Sequence, residues 1–189
     1  MNKRKRIYTI GHSTRSLQEF VAILRSHGIL RVTDIRTIPK SRHNPQFNRE
    51  TLAPALRARG IGYVHLKKLG GLRRPDADSV NSGWRNASFR GFADYMQTPE
   101  FAKGLARAMK LAQEKPSALM CAEAVPWRCH RSLVADALLV RGWRVADIIS
   151  CSLPKPHSLT PFASVRGESI TYPPLSPASK SNASSTRRK

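Results

Sequence analysis

Acidic residues are scarce in this chain. Its 189 residues hold 12 Asp and Glu against 33 Lys and Arg, for a formal charge of +21 at pH 7. Eight of those cations lie in residues 1–6 and 173–189, which contain no acid, and setting them aside leaves the body at +13. So basic a body excludes a preference for cationic partners and favours anionic ones: nucleic acid, nucleotides or other phosphates. Charge alone carries no specificity, and a solubility bias explains it equally well. Long apolar runs are also missing. None approaches the roughly 20 residues that cross a bilayer. The basic opening Met1–Arg6 leads into the short run Ile7–Ile10, not into the apolar stretch of a secretory signal. The expectation is a cytoplasmic protein with no membrane partner. Cysteine is rare too. Cys121, Cys129 and Cys151 are too few and too clustered for a disulfide framework, which leaves free thiols, metal ligands or a reactive thiolate. There is no internal repeat.

What is present is enough for one domain with a core, since 40% of the residues are hydrophobic. Ile7–Ile10 reads as a strand. Ser16 and Glu19 form a capping-box pair ahead of Leu17, Phe20, Val21 and Leu24, which predicts a helix over 17–27 closed by Gly28. Leu30–Ile35 is the second strand. Asn48 opens a helix over 49–59, and Gly62–His65 is the third strand. From Leu66 to Ser88 there is no clear periodicity, and a loop of that length is expected to be functional or disordered. Thr98-Pro99-Glu100 starts a helix running to about 114. Ser117–Met120 is a buried strand, 130–141 a helix, and Trp143–Ile149 a strand. Alternation with long crossovers predicts a single α/β domain over 7–152, Rossmann-like and three-layered, with a mostly parallel sheet. Residues 1–6 form a basic tail. Residues 153–172 are expected to pack on the domain as an extension with one hairpin at the sheet edge, and 173–189 to be a disordered basic tail.

In open parallel sheets, ligands bind outside the carboxyl ends of the strands. Here those ends read Gly11-His12-Ser13, Asp34-Ile35-Arg36, His65, Cys121-Ala122-Glu123 and Ser150-Cys151. Strand ends are always polar, but that does not explain why His, Asp, Arg, Glu and Cys dominate these. The richest segment, Cys121 to Arg131, leaves a strand and enters a helix, whose N-terminus favours anions and lowers the pKa of a nearby thiol. Cys121, Glu123, Cys129, His130 and His12 are therefore the catalytic candidates, as nucleophile and acid/base groups. Gly11, Ser13, Asp34, Arg36, Arg42, Trp84, Arg85, Arg128 and Arg131 are the substrate- or phosphate-binding candidates. Arg36 either pairs with Asp34 or holds phosphate while Asp34 orients His12. Trp84 and its neighbouring arginines suit base stacking or an active-site lid, or simply an anchored basic loop. The six residues between Cys121 and Arg128 exceed by one the spacing of cysteine-dependent phosphatases, so that chemistry is not carried over. A metal on Cys121, Cys129 and His130, with His12 or Cys151, has no usual zinc-knuckle spacing, and no metal or other cofactor is assigned from the sequence. His27 and His157 read as bland.

The runs YTIGHSTRSLQEF, DIR-x-x-P-x-SR-x-NPQF, LGG followed by GWRN and FRGFADYM, and CAEAVPWRCHR resemble the bacterial and archaeal family called domain of unknown function 488. The resemblance spans about residues 7–150. It implies a small Rossmann-like α/β fold and marks Gly11, His12, Ser13, Asp34, Arg36, Pro39, Phe47, Cys121, Glu123, Cys129, His130 and Arg131 as family positions. It implies no activity. The expected function is an enzyme acting on a nucleotide or nucleic acid through this Cys/His/Arg cleft. The alternatives are a non-catalytic nucleotide or nucleic-acid binder and a Cys/His metalloprotein.

Overall fold

The computed structural model describes residues 5–174. The disordered-tail expectation and most of the N-terminal tail lie outside the described residues.

Strand β1 (Arg6–Gly11) leads into helix α1 (Leu17–Ser26), β2 (Arg31–Asp34), α2 (Arg49–Arg57), β3 (Gly62–His65), α3 (Ala87–Tyr95), α4 (Pro99–Glu114), β4 (Ser117–Cys121), α5 (Arg131–Val140) and β5 (Arg144–Ile148). Two-residue β6 (Lys155–Pro156) and the hairpin β7 (Ser164–Arg166) and β8 (Ser169–Thr171) are the last elements among the described residues. The main sheet runs β3-β2-β4-β1-β5-β6, with the first five strands parallel and β6 antiparallel to β5. This is an α/β domain with a mostly parallel sheet, as expected. The strand order is not the 3-2-1-4-5-6 of dinucleotide-binding folds, because β4 is inserted between β1 and β2.

Alternation along each strand builds two cores. Ile7, Leu119, Cys121 and Val145 pack with Phe92 of α3, Phe101 and Leu105 of α4, and Leu133, Val134 and Leu138 of α5. Ile10, Val32, Met120 and Ile148 pack with Phe20 and Leu24 of α1 and Leu52 and Leu56 of α2. Successive side chains point to opposite faces, so the sheet is covered on both sides. Central β4 is buried at every position, as a strand sealed on both faces must be.

The helix signals act as the sequence implies. Ser16 accepts from the Glu19 amide while Glu19 Oε2 accepts from the Ser16 amide at 2.7 Å. The Thr98 hydroxyl caps α4 ahead of Pro99. Asn48 precedes α2, but its side chain accepts from the Ser41 amide at 2.7 Å, tying down the 38–48 loop instead of the helix. Helix α3 was not expected, although Asn86 caps it by accepting from the Ser88 amide at 2.9 Å and Phe89, Phe92, Ala93 and Met96 follow at helical spacing. It is short, and Gly91 interrupts its apolar face because any Cβ there would strike the Arg74–Pro75 backbone.

The C-terminal segment departs from expectation. The hairpin β7–β8 is a separate two-stranded sheet, and the main sheet's edge is taken by β6. Ile170 and Tyr172 join the core. His157, bland in sequence, lies between two buried carboxylates: Nε2 is 2.9 Å from Asp136 Oδ1 and Nδ1 is 3.2 Å from Asp147 Oδ2. Thr9 donates to Asp147 at 2.5 Å, and Tyr172 donates to Asp136 at 2.9 Å. Burial works against the His157 charge, but the two carboxylates outweigh it and raise the pKa to about 9. The resulting imidazolium clasp joins the extension to β1, β5 and α5.

Candidate functional site

β1 and β4 are neighbours, yet β1 leaves through α1 on one face and β4 leaves through α5 on the other. Such a switch point is where open α/β sheets bind ligands. A cavity of about 710 Å³ opens there. The two exit loops touch: the His12 and Ser13 amides donate to the carbonyls of Cys121 and Ala122 at 2.9 and 2.8 Å. Gly11 is required by this approach, since a Cβ on it would overlap the Glu123 carbonyl, a backbone group that cannot swing away. Ser13 has φ 51°, the left-handed region, alone among the described non-glycine residues. Such strain concentrates at functional sites.

At the cavity floor, Cys121, Cys129 and His130 converge, with their donor atoms all within 4.8 Å of one another. Both sulfurs lie 3.8 Å from His130 Nδ1. The other ring nitrogen, Nε2, faces the carbonyls of Ile35 and Leu69 at 3.2 and 3.0 Å. Carbonyls only accept, so Nε2 carries the hydrogen and Nδ1 presents its lone pair to the sulfurs. Gly71 makes room for this ring; a Cβ there would fall against Nδ1 and 2.5 Å from Cγ. The two thiols titrate as a pair. Cys129 donates to Cys121, which lowers the Cys121 pKa against the opposing effect of burial. The Ala122 and Glu123 amides and the Arg131 charge act in the same direction. Donating to Cys121, together with burial, pushes Cys129 up.

Arg131 is 1% exposed and does not face the cavity. Its guanidinium donates to the carbonyls of Glu123 and, at 2.8 Å, Ala124. It holds the 122–124 loop from behind, where the sequence reading made it a phosphate ligand. The wall toward β2 is a second network. Asp34, fully buried, receives Arg36 Nε at 3.0 Å, Arg36 Nη2 at 2.6 Å and the Tyr63 hydroxyl at 2.6 Å. Arg36 Nη2 also donates to the Phe47 carbonyl, and Nη1 donates to His12 Nε2 at 3.2 Å. Burial alone would lower the Arg36 pKa; Asp34 raises it instead. His12 donates Nδ1–H to the Ser13 carbonyl at 2.8 Å and stacks on Phe47 at 4.2 Å. Burial first, with Arg36 adding, lowers its pKa to about 4, so the ring is neutral at pH 7.

The structure brings Cys121, Glu123, Cys129, His130, His12, Ser13, Arg36 and Arg128 to one cavity. Gly11 and Asp34 support it from beneath. Arg42 and Arg85 are exposed and do not line it. Trp84 packs against Phe89, Phe162 and Tyr172 and so anchors its loop rather than offering a stacking face. Cys151 is exposed and stands apart from the trio. Sequence reasoning did not reach Tyr63 or Thr37 as parts of the site. For Gly71, the doubled glycine after Leu69 was the available signal.

A family model described as Domain of unknown function DUF488 matches residues 16–138. Comparison with curated proteins gave no match, and comparison with solved structures gave none. Among the described residues, no helix is long and apolar enough to cross a membrane.

Proposed function

The chain belongs to the DUF488 family, a membership that brings no reaction with it, and from the site itself we propose an enzyme acting on a phosphate-bearing substrate, a nucleotide or nucleic acid. The reacting centre is the Cys121–Cys129–His130 trio, and the convergence of these three groups on a switch-point cavity is the observation that carries the reading. The cavity's size suits a nucleotide-sized ligand. Its polar lining suits an anion. Arg128 and Lys40 stand at its wall. Arg36 has five N–H groups, and Asp34, Phe47 and His12 engage four of them. One Nη1 hydrogen is left for the cavity that Arg36 lines. The Ala122 and Glu123 amides, directed at the Cys121 sulfur, add fixed donors on the reacting side. Neutral His12 accepts from Arg36 and so orients it. Among the described residues, Glu123 is the one carboxylate on the cavity lining, and it serves as acid/base.

Calorimetric titration with inorganic phosphate, nucleoside mono- and diphosphates and a short oligonucleotide tests this reading, with product formation followed by chromatography. The expected result is binding that weakens as salt rises and falls about tenfold or more in an Arg128→Ala, Lys40→Ala double variant, with turnover lost in Cys121→Ser. Binding without turnover would move the protein to the class of nucleotide or nucleic-acid binders, which the basic body also suits. No phosphate ligand at any salt concentration would sink the reading.

A further inference from the structure

We propose that Cys121 Sγ, Cys129 Sγ and His130 Nδ1 are three ligands of a resident divalent metal ion of the zinc class, whose fourth position opens into the cavity. Only the use of that fourth position rests on the reading of the cavity as an active site.

The donor geometry is the first argument. Zinc–sulfur bonds of about 2.3 Å and zinc–nitrogen bonds of about 2.0 Å in a tetrahedron place sulfur and nitrogen roughly 3.5 Å apart. The observed separation is 3.8 Å for both sulfurs, a few tenths of an ångström from that value, and all three donor atoms lie within 4.8 Å of one another. A single lone pair equidistant from two sulfurs suits one shared cation better than two thiol protons. The second argument is the imidazole's outer contact. A metal-bound histidine characteristically donates its remaining N–H to a carbonyl or carboxylate, which fixes the tautomer. His130 Nε2 meets two backbone carbonyls from separate segments, Ile35 and Leu69. Gly71 gives up any side chain to admit the ring in that orientation.

Chemistry and charge agree. A sulfur-rich donor set suits zinc or ferrous iron and not magnesium or calcium, which take oxygen ligands. Two thiolates neutralise a divalent cation, and Arg131, held by carbonyl oxygens instead of a carboxylate, leaves the surroundings positive. A fourth ligand is then favoured if anionic: a hydroxide or a phosphate oxygen. Structural zinc sites are closed by four protein ligands, whereas a site with three and an open position is of the catalytic type. Here all three residues line the cavity.

The test is elemental analysis of the full-length protein purified without chelators, followed by cobalt(II) exchange. Wild type should carry one zinc or iron per chain, and Cys129→Ser and His130→Gln should retain about a tenth or less. Cobalt-loaded wild type should show a sulfur-to-metal charge-transfer band, with about half its intensity in any Cys129→Ser that binds cobalt. If those variants fail to fold, the wild-type metal content and cobalt spectrum decide alone. Wild type that holds no stoichiometric metal and takes up no cobalt overturns the proposal. Phosphate ligands that still bind such metal-free protein would leave the proposed function standing. Metal present with no phosphate ligand bound would remove that function and keep the site.

Discussion

Gly71 presents only hydrogen to the His130 ring, and the ring holds its place because of it. Gly71→Ala should lower stability by roughly 1–3 kcal/mol through overpacking. Because the displaced group is the imidazole, turnover or metal content should fall more than stability does. Urea midpoints beside metal analysis check this, and an alanine variant with a full site would show that the ring has other room. At this scale the residue types of the trio were legible, since two cysteines and a histidine flanking a strand-to-helix turn have few ordinary uses. The direction of each side chain was not. Arg131 and Arg128 are three residues apart and equally basic, yet one is buried against loop carbonyls and the other lines the cavity. That choice depends on where α5 begins, and residues 131–138 are all buried, leaving no polar face from which to read the phase.

At the scale of elements, the loop from β4 to α5 takes its shape from a side chain of the helix it precedes. Arg131→Met keeps the bulk and removes both donors to the Glu123 and Ala124 carbonyls. The expected cost is about 2–4 kcal/mol in chemical denaturation, from charge-assisted hydrogen bonds lost in a buried setting. Cys121 should also alkylate at a changed rate, since its amide donors sit on the released loop. Unchanged stability would mean that the loop is held from elsewhere. Helices α1 and α4 were legible because their caps are local chemistry. Helix α3 was missed although Asn86 caps it in the same way; it is short, and Gly91, which answers to the Arg74–Pro75 backbone, breaks the apolar face between Phe89 and Phe92. The strands were legible as segments, but their order was not. Periodicity reports which face is buried, not which neighbour lies alongside.

The whole molecule is joined across its C-terminal segment by the charged His157 clasp, and this gives it a pH dependence. The folded pKa of about 9 stands above the free histidine value near 6.5. The contribution is therefore fully present below pH 6.5 and is lost as pH rises toward 9, amounting to at most about 3 kcal/mol. Asp136 and Asp147 are the carboxylates that face the ring. Wild-type stability should decline across that window, and His157→Gln should be less stable at pH 6 but much flatter above it. Equal slopes for the two proteins in urea melts at pH 6, 7.5 and 9 would refute the clasp. None of this was legible from the sequence, where His157 sits among prolines and serines far from either aspartate.

Strand β1, the first of the described elements, pairs with β4 and β5, whose residues come more than a hundred positions later. On a ribosome adding about 5–20 residues per second, its apolar edges wait roughly 5–20 seconds for a partner. β2 and β3, neighbours in both chain and sheet, can pair long before that. The centre of the finished sheet thus closes only once β4 has been made, with β5 and the edge strand β6 following, and the nascent chain is most exposed to wrong strand pairing just before its reactive corner comes into being.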